Sequence, residues 1–550
     1  MVASALAAPA GWRRQDRLRA ALILAGELAQ GLADTEFDAP GFDDDTPLQA
    51  AALSVAVAIA RLFATDCDAP ALRASFEAAT ARLEALPLPP RVSCKTPEGY
   101  AFYAVYPESY RAAIAGQAWG ARPAVIGLRS IGTSLAAVAA AETGASLTVT
   151  LRPFGEPFRR QVRVSPGLRE RLAAHAGPFL LVDEGPGLSG SSLGAAADLL
   201  EGLGVAPERI VFAPSHGGDL GPQAADGHRV RWQGARRLVS TLDDLLVAEP
   251  LAGWFADLIG GDARIEDISG GLWARGEPGH LRPPIWRSQE RRKFRLVTES
   301  GVYVARFAGL GRTGEAKFEQ AEVLHAAGFA PRPLGLRRGF LLESWEAGVR
   351  LQIDGADRAG LLDRLAAYLA FRASRFPAAP DEGASFEQLR EMAIANAAAL
   401  DGEALAAAVA NRLNRGGEAP LRPVRIDGRL QIWEWLRRDD GAVIKTDALD
   451  HCAGHDLIGC QDIAWDIAGA ASEWRLSRGE VERLAAAVRN LSGVGVAPVA
   501  VEAFRICYAA FQAGYWAMAS EGAGADEQAT LNAWRDRHVT DLRLLVGGVR

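Results

Sequence analysis

Leu180-Leu181-Val182-Asp183-Glu184-Gly185-Pro186-Gly187-Leu188-Ser189-Gly190-Ser191-Ser192-Leu193 decides the fold of the first half of this 550-residue chain. An apolar run ends in two acids, passes through small residues and hydroxyls, and enters the helical pattern Leu193, Ala196, Ala197, Leu199, Leu200. The spacing predicts a strand, a loop and a helix. Glycines in such a loop let backbone N–H groups converge on an anion at the helix N-terminus, and Ser189, Ser191 and Ser192 add hydroxyl donors. Asp183 and Glu184, at the carboxyl end of a buried strand, suit sugar hydroxyls or a metal ion beside the phosphate. The combination asks for a sugar phosphate.

A second unit of the same kind lies upstream. Pro123-Ala124-Val125-Ile126-Gly127-Leu128 reads as a buried strand, followed by Arg129-Ser130-Ile131-Gly132-Thr133-Ser134 and an Ala-rich helix from Leu135 to Ala141, with Gly132 expected to permit a tight backbone turn. Leu147 to Leu151 and Arg209 to Pro214 are further strands. Strands alternating with helices at this spacing predict a parallel sheet with ligands at its carboxyl edge. Residues 1–90 read as helical, with an acidic surface loop at Asp43-Asp44-Asp45 and a stop at Leu86 to Pro90. Tyr100 to Tyr106 reads as an aromatic strand.

Length argues for two main domains plus an extension. A content of 49% hydrophobic and 23% charged residues is that of a soluble globular chain, and a net charge of -7 gives nucleic-acid binding no support. The five cysteines, Cys67, Cys94, Cys452, Cys460 and Cys507, are too scattered for a disulfide framework, which points to a reducing cytoplasm. The apolar stretch after Arg19 is interrupted at Glu27, too early for a signal peptide, and the Ala-rich stretch from Leu48 to Phe63, broken by Arg61, reads as a core helix and not a membrane span.

The acidic stretch resembles the phosphoribosyl-diphosphate (PRPP) motif of type I phosphoribosyltransferases: four apolar residues, two acids, a linker, here slightly longer than usual, and a hydroxyl-Gly-x-hydroxyl loop. The resemblance implies that Asp183 and Glu184 hold the ribose hydroxyls. Gly187, Leu188, Ser189, Gly190, Ser191 and Ser192 would take the 5'-phosphate, and Arg129, Ser130, Gly132, Thr133 and Ser134 the pyrophosphate, with Mg²⁺ accompanying PRPP. Arg152, Arg159 and Arg160 fall where the family carries a mobile basic loop, and Lys95 and Tyr103 are acceptor-site candidates.

After Trp254 the composition changes. Ile268-Ser269-Gly270-Gly271, the strand Gly301 to Phe307, a helix carrying Glu319 and Glu322, and Phe340-Leu341-Leu342-Glu343 look like the N-lobe and hinge of an aminoglycoside-phosphotransferase or choline-kinase-like domain. The resemblance implies ATP binding by Gly270, Gly271, Arg306, Glu319 and Glu343, with Arg306 in the place of the nucleotide lysine. Where the family's catalytic loop reads His-Gly-Asp, four residues, Asn, this chain has Asp427-Gly428-Arg429 and Glu434, so Arg429 stands in the catalytic aspartate slot. Either Asp427 serves instead, or the domain binds without phosphorylating. Asp447 matches the Mg²⁺-binding aspartate by its distance from the loop, and the segment around Asp466 is structural. Asp447, Asp450, His451, Cys452, His455, Asp456 and Cys460 lack the spacing of a zinc finger.

The expected fold is therefore α/β: a helical N-terminal extension over 1–90, a phosphoribosyltransferase-type parallel-sheet domain over 91–250, and a bilobal α+β kinase-like domain over 262–550. The expected function is phosphoribosyl transfer to an unidentified acceptor, coupled to a kinase-like domain that binds ATP and phosphorylates the product or a related metabolite. The alternative is a PRPP- and nucleotide-sensing regulator with a pseudokinase domain. The expected partners are small molecules, with neither nucleic acid nor membrane involved, and the fold-level analogy extends to a homodimer.

Overall fold

The computed structural model describes residues 1–65, 69–275, 282–352, 357–415, 421–453 and 458–547. Cys67, His455 and Asp456 lie outside the described residues. The chain divides into two compact units. The first is Met1–Arg264 with Phe307–Glu315 and Leu336–Phe340, and the second is Ile265–Arg306, Ala316–Gly335 and Leu341–Arg550.

The first unit begins with helices α1 (Val2–Leu6), α2 (Trp12–Phe37), α3 (Pro47–Ala64) and α4 (Pro70–Glu84). Thr46 starts α3 by accepting a hydrogen bond from the Gln49 amide, with Pro47 in the first turn. By length and composition α3 is apolar enough to cross a bilayer, yet half of it is buried inside the unit. Two short helices, α5 (Glu98–Ala101) and α6 (Pro107–Ile114), lead into the sheet. Its strands are β1 (Ala124–Leu128), β2 (Leu147–Leu151), β3 (Phe179–Val182), β4 (Ile210–Ala213) and β5 (Arg236–Arg237), in the order β2-β1-β3-β4-β5. Every neighbouring pair is parallel, as the alternation of strands and helices predicts. Helices α7 (Gly132–Thr143), α8 (Pro166–Ala174), α9 (Ser191–Gly202), α10 (Asp226–Gly234), α11 (Leu242–Ala248) and α12 (Leu251–Ile259) complete it. Because α2 and α3 pack on α7, residues 1–90 share one compact unit with the sheet.

Strand order reverses between β1 and β3. That is where a doubly wound sheet opens a crevice at its carboxyl edge. The loops after β1 and β3 are therefore neighbours, and Gly127 pairs with Val182 across the two strands.

Two expectations fail here. The run Tyr100 to Tyr106 forms the end of α5 and an irregular turn, with Ala104 at φ 53°. Tyr100, Phe102 and Tyr106 are buried, two of them with tertiary partners: the Tyr100 hydroxyl meets Ser134 at 2.9 Å, and the Tyr106 hydroxyl donates to the Arg338 carbonyl at 2.6 Å. The Asp43 to Asp45 loop is not a solvated surface either, since Asp43 is fully buried.

The second sheet contains β6 (Arg264–Asp267), β7 (Lys293–Val297), β8 (Val302–Phe307), β9 (Pro333–Arg337) and β10 (Phe340–Ser344), in the order β6-β7-β8-β10-β9. Strands β7 and β8 are antiparallel, which sets Lys293 opposite Arg306. Helix α13 (Arg312–Ala326) lies between β8 and β9 in the chain. Beyond it come β11 (Val349–Arg350), β12 (Pro423–Val424), β13 (Trp435–Arg437), β14 (Val443–Lys445) and β15 (Gln461–Asp462), forming β11-β13-β14 and β12-β15 sheets. Helices α14 (Arg358–Arg375), α15 (Phe386–Asp401), α16 (Glu403–Arg415), α17 (Ala464–Glu473), α18 (Arg478–Ser492), α19 (Pro498–Glu521) and α20 (Ala525–Val546) make this part mostly helical.

The seating of α7 on the sheet requires two glycines. A Cβ on Gly127 would lie 2.3 Å from the Gly132 carbonyl oxygen, and one on Gly132 would lie 2.7 Å from the Val182 carbonyl oxygen. Gly132 thus serves close packing of helix on strand and not a left-handed turn, since it is absent from the positive-φ glycines. Gly127→Ala should destabilise the protein by about 1–3 kcal/mol through backbone displacement, whereas Gly202→Ala, which meets nothing within 4 Å, should be neutral or slightly stabilising. Urea unfolding of both variants checks this, and equal midpoints would show that α7 can move without cost.

Candidate functional site

The loop after β3 begins with two half-buried acids. The Asp183 carboxylate accepts the Glu184 amide at 2.8 Å, and the Asp183 carbonyl accepts the Tyr110 hydroxyl at 2.8 Å. The Glu184 carboxylate accepts the Gly99 amide at 2.9 Å. A side chain on Gly99 would strike the Glu184 carboxylate at 2.8 Å, so the segment before Tyr100 is built against this acid. Burial pushes the Asp183 carboxyl up to about 7. Burial, with the nearby charges of Asp183 and Glu98, pushes Glu184 up to about 8. Near neutral pH this pair is therefore partly protonated and can exchange its protons for a ligand.

Beyond the acids, Gly187 and Gly190 both adopt φ 60°. Ser189 donates to the Ser191 hydroxyl at 2.9 Å and accepts the Ser191 amide at 3.2 Å, shaping the entry to α9. Leu188 is exposed at the tip. The Ser191 hydroxyl donates to the Pro157 carbonyl at 3.1 Å, tying the basic segment to the serine loop. In that segment Phe154 pairs with Gln161 in an antiparallel bridge, Arg160 donates to the Gly155 carbonyl at 2.8 Å, and Arg159 is exposed.

The loop after β1 is placed as the sequence implies, but its arginine is not free. Arg129 lies 3.0 Å from Asp34 and pairs with Asp43, its side chain only 1% exposed. Arg152 pairs with Asp38 at 2.7 Å and lies over the Phe37 ring. Both guanidinium charges are thus matched by acids at the end of α2 and in the following loop. This corrects the expectation that Arg129 and Arg152 bind pyrophosphate. Ser134 bonds Tyr100 and donates to the Ile131 carbonyl at 3.0 Å, while the Thr133 hydroxyl is buried without a hydrogen-bond partner among the described residues. Thr133 lines a small cleft with Ala29, Gln49 and Thr150. Ser130 and Ser192 are half-buried. Of the acceptor candidates, Tyr103 is exposed and the Lys95 amide donates to Gln30 at 2.9 Å.

In the second unit the implied nucleotide residues separate into two groups. Arg306 on β8 is buried, 2.8 Å from Glu343 and 3.1 Å from Asp447. Burial works against its charge, but Glu343, Asp447 and Asp450 raise its pKa above the ordinary arginine value. Glu319, by contrast, is exposed on α13, and the buried position on that helix belongs to Lys317, which pairs with Asp450. The charge order expected of helix and strand is therefore altered, because the face of α13 turned inward carries Lys317 and Gln320. Gly270 and Gly271, at φ 56° and 82°, form a turn whose Gly271 amide donates to Glu290 at 3.2 Å.

The expected base also fails. Asp427 is 1% exposed and accepts hydrogen bonds from Tyr368 and, at 3.1 Å, from Lys445. Burial opposes its ionisation, but Lys445, His451 and Arg372 outweigh it and hold the carboxyl well below the usual carboxylate range. A buried, fully ion-paired carboxylate is a poor proton acceptor. Asp466 accepts the Asp427 and Gly428 amides at 2.8 and 2.9 Å, the structural role expected of its segment. Arg429 stacks on the Tyr515 ring at 4.5 Å.

Sequence reading missed Lys445. It is fully buried at the end of β14, with its ammonium 2.7 Å from Glu434 and 3.1 Å from Asp427, and it also donates to the Asp447 carbonyl. The available signal was a lone lysine closing the apolar strand Val443-Ile444.

No protein-family description matches this chain, and no curated protein matches it. Among solved structures, it is similar to choline kinase LicA from Streptococcus pneumoniae (15% identity, TM-score 0.37, covering 54% of this chain and 98% of that one). It is likewise similar to an ethanolamine kinase from Plasmodium vivax (10%, 0.37, 56% and 90%). A third likeness is to a spectinomycin phosphotransferase in complex with ADP and spectinomycin (10%, 0.37, 53% and 96%). These phosphotransferases are what about half of the chain is similar to.

The raised carboxyls make a pH dependence. The folded chain holds protons on Asp183 and Glu184 that the unfolded chain, with carboxyls near 4, releases. The stability they contribute is full below that unfolded value and is lost as pH rises through about 7 and about 8. Asp183→Asn with Glu184→Gln should therefore flatten stability across this window and raise it above pH 8 relative to the parent, as read by urea unfolding. A parent whose pH profile matches that of the double variant would disprove the burial of these protons.

Proposed function

We propose that the first unit transfers the phosphoribosyl group of PRPP to a small acceptor, and that the second unit binds a nucleotide without transferring its phosphate. One observation carries the first half: the loops after β1 and β3 emerge side by side at the point where strand order reverses, one bearing Asp183, Glu184 and the serine turn, the other opening α7. Helix N-termini and hydroxyls suit the phosphates, and two ionisable acids suit ribose hydroxyls.

In this reaction a nucleophilic atom of the acceptor bonds to ribose C1 as the bond from C1 to the pyrophosphate oxygen breaks. The electron pair leaves with pyrophosphate, to which the Mg²⁺ that entered with PRPP stays bound. An oxocarbenium-like transition state places positive charge on the ribose ring. Asp183 and Glu184, once deprotonated by the arriving ligand, face that charge, and the protein contributes placement and charge stabilisation. The exposed Arg159, and Arg160, which donates to the Gly155 carbonyl, would offer their charge to the leaving group.

The reading of the second unit rests on Arg429, which offers no carboxylate in the base position, and on the ion pairing that buries Asp427. A regulator in which the first unit also only senses PRPP is the second reading; the same two features favour it for the second unit only. The reading further implies a chain acting on small molecules in the cytoplasm, neither on nucleic acid nor at a membrane, and paired as a homodimer.

Titration of PRPP with Mg²⁺ into the intact protein should show binding that Asp183→Asn/Glu184→Gln removes while remaining folded. The binding heat near pH 7 should vary with the buffer's ionisation enthalpy, because the acids release protons. Pyrophosphate release in an acceptor screen separates the enzyme from the sensor, and an intact protein that does not bind PRPP would sink the assignment.

A further inference from the structure

Two of the scattered cysteines meet in the second unit. Cys452 lies in the turn that carries His451 and Cys460 directly before β15, and their thiols are hydrogen-bonded to each other. Both backbones are anchored. The His451 ring bonds the Asp427 carbonyl at 3.1 Å, and a Cβ on Gly428 would lie 3.1 Å from the His451 Cβ. The Cys460 amide donates to the Glu382 carbonyl at 3.0 Å, Gly459 bridges Gly383, and β15 pairs with β12.

The hydrogen bond from Cys460 and the charge of the buried Arg372 guanidinium hold the Cys452 thiol below the ordinary thiol value, against its own burial. The same hydrogen bond, together with burial, holds Cys460 above it. The pair is therefore asymmetric. Cys452 has the character of a nucleophile, and Cys460 keeps its proton.

We propose that Cys452 and Cys460 form a peroxide-sensitive dithiol, a modification site that closes to a disulfide. The Cys452 thiolate attacks one oxygen of a peroxide. The O–O bond breaks, a sulfenic acid forms, and the other oxygen leaves with the electron pair and takes a proton, as water or an alcohol. The Cys460 sulfur then attacks the sulfenic sulfur, the S–O bond breaks, and the departing hydroxide takes the Cys460 proton as water. The two thiols lose two electrons in all, and the peroxide gains them. Burial selects the oxidant by size. Cys452 and Cys460 are 7% and 6% exposed, so a molecule near the size of water reaches them through local opening, whereas a bulky thiol reagent does not. In a reducing compartment the dithiol is the resting form, and a thiol reductant restores it. The bond ties the His451 turn to β15, at the edge of the acid cluster, since the His451 ring lies 3.7 Å from the Asp427 carboxylate and 4.0 Å from that of Asp447.

The test treats the folded intact chain with hydrogen peroxide, blocks the remaining thiols with N-ethylmaleimide in denaturant, and maps tryptic peptides without reductant. The expected result is that the peptide 446–475, which holds both cysteines, carries no maleimide, has lost two hydrogens and regains both thiols in dithiothreitol. The oxidised chain should also unfold at higher urea than the reduced one, because the closed ring restricts the unfolded chain. If both cysteines still take maleimide at a peroxide dose that oxidises the exposed Cys94, the proposal is overturned, and a linkage of either cysteine to a different one overturns it too. Cys460→Ser should stop the reaction at the Cys452 sulfenic acid, captured by dimedone in denaturant. A folded Cys460→Ser chain whose Cys452 is not captured would take the nucleophile's part from Cys452. The peptide map of the parent decides the matter even if this variant does not fold.

Discussion

A charge taken out of water must be matched where it lies, and both units are built around that constraint. In the first, the Arg129 guanidinium is held between Asp34 and Asp43, residues more than 80 positions away in the chain. In the second, Lys445 closes on Asp427, Glu434 and Asp447, and Arg372, fully buried, donates to the carbonyls of Arg425, Ile426 and Ala448. Removing one partner of such a buried pair typically costs about 3–5 kcal/mol, because the other charge is left stranded. These contacts consequently fix where loops sit relative to the elements that carry them. Helix α2 and the loop that follows it are not an appendage to the sheet: Asp34 and Asp43 complete the loop after β1.

The same constraint explains which parts of the chain could be read in advance. Strands β1 to β4 and helices α7 and α9 are legible because an apolar run followed by small residues and a helical period is a local signal. The adjacency of the loops after β1 and β3 followed directly, since neighbouring first and third strands are a property of doubly wound sheets. What was not legible is long-range pairing. Nothing near Arg129 announces Asp34 or Asp43, and the acidic run Asp43 to Asp45 looks solvated until its partners are known. Tyr100 to Tyr106 alternates like a strand, but its buried hydroxyls find oxygen atoms on distant segments, and tertiary contact overrides local pattern.

Helix α13 shows the limit of matching by resemblance. Spacing put Glu319 in the acidic position of a kinase N-lobe, yet a turn of helix offers several neighbouring residues, and the one that faces inward is decided by its partner. Asp450 requires a cation, and Lys317 supplies it. Arg306 then finds its carboxylate on β10 as Glu343 and not on the helix. Counting along the sequence could place the element but not the charge.

The two acid clusters also differ in what neutralises them, and that difference separates their chemistry. Asp183 and Glu184 are relieved by protons, which leave when a better partner arrives. Asp427 and Glu434 are relieved by an ammonium that is covalently part of the chain and enclosed on every side. A site closed by protons opens to a cationic or hydroxyl-bearing ligand at the cost of deprotonation, about 1.4 kcal/mol per pH unit below the pKa. A site closed by Lys445 opens only if the strand that bears it moves. The first cluster can thus answer its surroundings by losing protons, whereas the second is a fixed part of the fold.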